Sequence, residues 1–178
     1  NLSIIRQSGF QPFRIIKYWK RKEKYEIKKN DYKDKIIWEN LTEENSQQIW
    51  RLEQARESIN FRSIFDRQWQ DIYEKRNILT GAIKSNENNI IAGLIPSICP
   101  QYDYSLELIR GLAWDERLNL SIPQRINNIK RSNKKFYIET TSEDNKLNEI
   151  LENNEWEISE ERNLLGRSIW KRQNGFKL

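Results

Sequence analysis

Lys134-Lys135-Phe136-Tyr137-Ile138-Glu139-Thr140-Thr141-Ser142-Glu143-Asp144-Asn145 is the stretch whose reading decides the fold. Its first eight residues are rich in aromatic and β-branched side chains, the composition of a buried strand. Ser142 to Asn145 then offers hydroxyl, carboxylate and amide groups that can cap the free N–H groups of a helix, and acidic side chains suit the positive end of its dipole. Leu147, Ile150 and Leu151 follow at helical spacing, so this helix carries one narrow apolar face. Two further strands are expected, at Glu157-Ile158-Ser159 and from Leu164 to Trp170, with Arg162-Asn163 as the turn between them. Lys134 to Arg172 therefore reads as strand, helix and hairpin.

An abbreviated copy of that unit opens the chain. Asn1 to Arg21 reads NLSIIRQSGFQPFRIIKYWKR, and when it is laid on Leu147 to Arg172, Ile4 falls on Ile150, Ile5 on Leu151 and Phe10 on Trp156. Both copies end in Trp-Lys-Arg, the later one after a longer hairpin. True duplication would make residues 1–22 the end of one domain, 23–33 a basic linker, 34–172 a second domain and 173–178 a tail.

Between the copies, Lys35 to Asn40 reads as a first strand, and Thr42 can cap a helix with Ile49, Leu52 and Ala55 or Arg56 on one side. A second amphipathic helix is expected from about Phe61 to Arg76. Ile78 to Lys84 and Ile90 to Ile98 are strand-like, joined by the Asn-rich Ser85 to Asn89 and ended by Pro96, Cys99 and Pro100. Tyr104 to Trp114 reads as a central strand.

Strand, Asn-bearing helix, glycine-aromatic pair and closing hairpin resemble the C-terminal third of the GCN5-related N-acetyltransferase (GNAT) family. Asn145 and Trp156 occupy two positions of that pattern, Gly9-Phe10 matches its Gly-Phe pair, and Ile90-Ile91-Ala92-Gly93 resembles its third strand. The resemblance implies an α/β fold with a mixed, mostly antiparallel central sheet flanked by helices. It also implies acyl transfer from acetyl-CoA, as co-substrate, to an amine-bearing acceptor bordered by the first two helices. The thioester would lie along the backbone near Leu112, Ala113 and Trp114, with Glu107, Asp115 and Glu116 as the carboxylates available to take the amine proton. Phosphate contacts fall to Arg117 and Arg125, and Asn145 matches the family's asparagine. A preceding GNAT-like domain is the implied intramolecular partner.

The chain departs from the pattern twice. Arg117 to Arg125, where the family places a glycine-bearing pyrophosphate loop, has no glycine; Leu118, Leu120 and Ile122 would crowd the phosphates, and Pro123 removes a donor. The family's tyrosine acid corresponds to Leu151 or Glu152. A GNAT-like domain that binds a partner without catalysis is therefore the alternative reading.

Composition narrows the rest. The single Cys99 excludes an internal disulfide, and the lack of histidine removes Ser-His-Asp and Cys-His nucleophile systems and makes a metal site unexpected. No apolar run reaches the ~20 residues that span a bilayer, so no membrane partner is expected and a cytoplasmic setting is the default. Residues 1–35 hold eleven Lys/Arg against four Asp/Glu, which accounts for the net charge of +5. With Tyr18, Trp19, Tyr25 and Tyr32 among them, these charges read as a solvated linker or, alternatively, as a nucleic-acid surface. The absence of methionine, even at position 1, suggests a fragment or processed product.

Overall fold

A computed structural model describes residues 7–22, 37–56, 67–85, 89–97, 105–128 and 136–166. In chain order the strands are β1 (Gln11–Arg21), β2 (Ile37–Glu39), β3 (Gly81–Lys84), β4 (Ile90–Pro96), β5 (Ser105–Arg110), β6 (Tyr137–Thr141) and β7 (Trp156–Gly166). The helices are α1 (Glu43–Arg56), α2 (Trp69–Glu74), α3 (Leu118–Asn128) and α4 (Asn145–Asn153). The strands form one sheet in the order β2-β3-β4-β5-β6-β1-β7, antiparallel at every contact except β5 with β6.

Alternation along the strands separates two cores. Leu108, Ile138, Trp19 and Trp156 turn to the α3 and α4 side, where they meet Leu118, Ile122, Ile126, Leu147 and Leu151. Ile109, Ile95, Ile90 and Ala82 turn to the other side, against Ile49 of α1 and Ile72 of α2. Helix α1 starts where Thr42 and Asn45 cap each other, Asn45 N–H donating to Thr42 Oγ1 at 3.2 Å and Thr42 N–H to Asn45 Oδ1 at 2.7 Å. It then lies so close to β4 that a Cβ on Gly93 would fall 2.4 Å from Ile49 Cδ1. Helix α4 is capped by Asp144, whose carboxylate accepts from Leu147 N–H at 3.5 Å.

Three local expectations change, and the opening copy takes its place in the sheet. The strand foreseen from Ile78 starts at Gly81, because Asn77 to Thr80 closes a turn in which Asn77 Oδ1 accepts from Leu79 N–H at 2.8 Å and Thr80 N–H reaches Asn77 O at 3.1 Å. No turn interrupts β7 at Arg162-Asn163: these residues stand opposite Ile16 and Ile15, and the ladder to β1 holds the chain extended. Residues 11–21, the extended end of the opening copy, form an interior strand of this sheet. Finally, the basic character of β1 has a partner inside the fold. Lys17, Lys20 and Lys22 face Glu161, Glu157 and Glu155 at 3.8, 3.2 and 3.6 Å, a cross-strand pairing of unlike charges.

The rest of the basic run (residues 23–35), Phe61 to Phe65, Asn86 to Asn88, Cys99, Pro100 and the Trp170-Lys171-Arg172 ending lie outside the described residues. Among the described residues no helix is long and apolar enough to cross a membrane.

Candidate functional site

The sheet parts at its one parallel contact. β5 and β6 are paired only through Ser105, Leu106 and Glu107, set beside Tyr137, Ile138 and Glu139; beyond these, β6 turns to β1 while Leu108 to Arg110 pair with β4 alone among the described residues. Glu107 and Glu139 therefore stand side by side at the point where the strands diverge, both on the α1 face. A cleft of about 190 Å³ opens there, walled by Glu53 and Arg56 of α1, Ile109 of β5, Thr140 and Thr141 of β6, Arg14 and Tyr18 of β1, and Arg162 and Leu164 of β7.

A buried guanidinium holds the floor. Arg67, 7% exposed, donates through Nε to Glu53 Oε2 at 3.2 Å and through Nη2 to Glu53 Oε1; the same nitrogen lies 2.8 Å from Glu107 Oε1, and Nη1 donates to Pro96 O at 3.0 Å. Burial alone would make Arg67 easier to deprotonate, but Glu107 and Glu53 together hold it above its ordinary range. Glu139 has the opposite balance. Desolvation first, and then the neighbouring Glu107 charge, push its carboxyl up to about 7, against the smaller opposing pull of the Ser97 hydroxyl, which donates to Glu139 Oε2, and of Arg67. A carboxyl poised near neutrality beside an accessible cleft is what general-base chemistry requires.

Of the three carboxylates singled out in the sequence, only Glu107 reaches this cleft. Asp115 and Glu116 lie ahead of α3 and are engaged locally: Asp115 pairs with Arg117 at 2.6 Å, which holds its carboxyl below the usual range, and Glu116 accepts from Asn119 Nδ2 at 2.5 Å. Arg117 is thereby tied to its own loop. Arg125 donates through Nη2 to the carbonyls of Ile78, Leu79 and Thr80 at 3.3, 3.4 and 2.7 Å and lies 5.3 Å from the Trp38 ring, so it braces the turn before β3.

Helix α3 begins earlier than expected. Leu118 and Ile122 point into the core rather than crowding a phosphate loop, and Pro123 sits inside the helix instead of in its first turn. Leu112 is 73% exposed, Ala113 is exposed, and half-buried Trp114 donates to Asn119 Oδ1 at 2.9 Å. Asn145 is the first residue of α4, next to the capping Asp144. Asp144 itself bridges Arg110 at 2.7 Å and Arg56 at 3.5 Å, linking the end of β5 to the turn after β6.

Glu139, Glu53, Arg67 and Tyr18 escaped the sequence reading. A signal existed for two of them: Glu139 is the one charged residue in a strand of aromatic and β-branched side chains, and Glu53 follows Ile49 by one helical step on the buried face of α1. Neither Leu151, fully buried, nor exposed Glu152 offers a phenol; the phenol lining the cleft is that of Tyr18, from β1.

The structure is similar to a putative GNAT-family acetyltransferase from Novosphingobium aromaticivorans, with a TM-score of 0.57 and 12% identity over 90% of this chain and 68% of that one. The chain has the GCN5-related N-acetyltransferase fold. A GNAT-family acetyltransferase from Colwellia psychrerythraea (TM-score 0.56, 9% identity, 91% of this chain and 59% of that one) has the same fold. So has a GCN5-related N-acetyltransferase from Sphaerobacter thermophilus (0.57, 11%, 90% and 53%). The chain thus spans between about half and two thirds of the length of these GNAT-fold proteins. No family model and no curated protein matches its sequence.

Proposed function

We propose that this GNAT-fold unit acylates a small primary amine, or a single side-chain amine of a larger acceptor, in the cleft between β5 and β6. The observation that carries the reading is Glu139: a half-buried carboxyl raised to about 7, next to Glu107, where the parallel strands part. Glu139 takes the amine proton, and Glu107, fixed by Arg67, keeps Glu139 proton-avid without competing for the role. Tyr18 supplies an O–H on the facing wall. The cleft carboxylates attract the ammonium form of an acceptor, while Arg14, Arg56 and Arg162 make the wall beside them basic, Arg56 lying 3.5 Å from Asp144 and Arg162 2.8 Å from Glu160.

Acetyl-CoA, the donor implied by the fold, would bring the electrophilic thioester carbonyl. The residues fit it unevenly. Leu108 to Arg110, which no β6 residue pairs among the described ones, suit a thin arm laid along β5. The start of α3 does not suit a pyrophosphate: it has no glycine, Arg117 and Arg125 are engaged elsewhere, and the amides of Leu118, Asn119 and Leu120 already meet the carbonyls of Asp115, Glu116 and Arg117. That same observation favours a second reading, in which the unit keeps the fold to bind a partner and does not turn over.

Calorimetric titration with acetyl-CoA and an acetylation assay over a panel of small amines separate the two. Turnover whose kcat/KM falls about 100- to 10,000-fold in Glu139→Gln, with loss of a pH midpoint near 7, supports the first. Folded protein with neither binding nor turnover leaves the second.

A further inference from the structure

The two strands that meet at the end of the sheet come from the two sequence copies, and their pairing carries a symmetry. Phe10 and Trp156 are 146 positions apart. At that same offset the backbones agree: Gln7 and Asn153 are both helical, Ser8-Gly9 and Asn154-Glu155 are both turns, and a strand begins within two residues of each turn. Gly9 and Glu155 both have left-handed backbone, with φ of 80° and 63°. Glycine takes that conformation freely and a glutamate does so at a cost, so the shared geometry is not a by-product of composition.

The β1–β7 ladder maps onto itself under the same offset. Ile16 pairs with Arg162, its own counterpart. Arg14 stands opposite Leu164 and Tyr18 opposite Glu160, and each of these pairs is the image of the other. So are Ile15–Asn163 and Lys17–Glu161, Gln11–Gly166 and Lys20–Glu157, and Pro12–Leu165 and Trp19–Ile158. Even the irregularities correspond. One strand skips Phe13 and the other skips Ser159, and these residues too are 146 apart. A pseudo-two-fold axis therefore passes between Ile16 and Arg162.

That axis makes a demand on the edge of the sheet. The inner edge of β1 is covered by β6, with Ile16 opposite Thr141 and Tyr18 opposite Glu139. β7 is the outermost strand among the described residues and is eleven residues long, and a sheet edge of that length is a template for another strand. We propose that the outer edge of β7 seats a strand of a second GNAT-fold unit that precedes residue 1 in the intact polypeptide, antiparallel and in the register that β6 takes on β1. The image of β6 occupies the tenth to the sixth residue ahead of Asn1, with Arg162 opposite the sixth and Leu164 opposite the eighth. Each unit lends its last helix-linked strand to the other. β1 brings Arg14, Ile16 and Tyr18 to the cleft described above, and β7 brings their counterparts Glu160, Arg162 and Leu164 to a second cleft on the same face. The second cleft has leucine where this one has its phenol.

Disulfide trapping in the intact polypeptide tests the register. Arg162→Cys is combined with cysteine at the sixth residue ahead of Asn1, and Asn163→Cys with cysteine at the seventh; neighbouring rungs alternate, so one of the two is of the closer, non-hydrogen-bonded kind. Peptide mapping should show at least tenfold faster cross-linking than in controls displaced by one residue. Hydrogen exchange of the unsubstituted polypeptide gives an independent reading: amides along 160–165 should exchange as slowly as those of an interior strand. Cross-links only between molecules, cross-links to residues 167–178, alternate β7 amides that exchange without protection, or an intact polypeptide with no segment in that position would each overturn the proposal.

Discussion

The cleft below the parting of β5 and β6 and the loop leading into α3 are both rich in charge, yet their charges do different things. In the cleft, Glu53 and Arg67 are buried, Glu107 and Glu139 are half-buried, and the Glu107 charge raises the proton affinity of both Arg67 and Glu139. Ahead of α3, Asp115 with Arg117 and Glu116 with Asn119 satisfy each other at the surface within three residues of sequence. Long-range contacts make the first cluster, and local contacts make the second. A charge that a near neighbour can satisfy needs no tertiary structure and gains little from it; a buried charge is held only by the fold that surrounds it.

The largest effect expected from breaking this contrast is at Arg67. Arg67→Met leaves Glu53 and Glu107 buried without their cation and should cost about 3–5 kcal/mol, seen in chemical denaturation. A double variant that also carries Glu53→Gln and recovers part of the loss would show that uncompensated charge, rather than lost packing, is the cause.

Next comes the pH dependence of Glu139. Between about 4.5 and about 7 the folded state holds a proton that the unfolded chain has released, so stability falls as pH rises through that window and levels off above it. The change is of order 3 kcal/mol. Denaturation midpoints across pH 4–8 should show this slope in the native protein and a flatter profile in Glu139→Gln; an unchanged profile would mean that the carboxyl is not the buried group described here.

Gly93→Ala probes the approach of α1 that places Glu53 over the cleft. Its Cβ would meet Ile49 Cδ1 at 2.4 Å and Cγ1 at 2.7 Å, and the loss should be about 1–3 kcal/mol, partly relieved by Ile49→Val in the same chain, which removes the nearer atom. The smallest effect belongs to the surface pair. Arg117→Ala should change stability by less than about 1 kcal/mol and leave the acetyl-CoA titration unaltered. A marked loss of acetyl-CoA affinity would restore Arg117 to the phosphate contact expected of it.

Sequence pattern alone placed a strand ending at Thr141, a helix cap within Ser142 to Asn145, the apolar face of Leu147 and Leu151, and the matching of Phe10 with Trp156, because each of these rests on neighbours or on a short period. Fold class was legible from the order of such elements. Tertiary structure alone decided that Glu139 rather than Asp115 or Glu116 faces the cleft, since a carboxyl is raised only by what surrounds it in space. It also decided that β7 runs straight past Arg162 and that β1 lies inside the sheet. Both follow from backbone pairing between segments more than a hundred residues apart, which no local signal encodes.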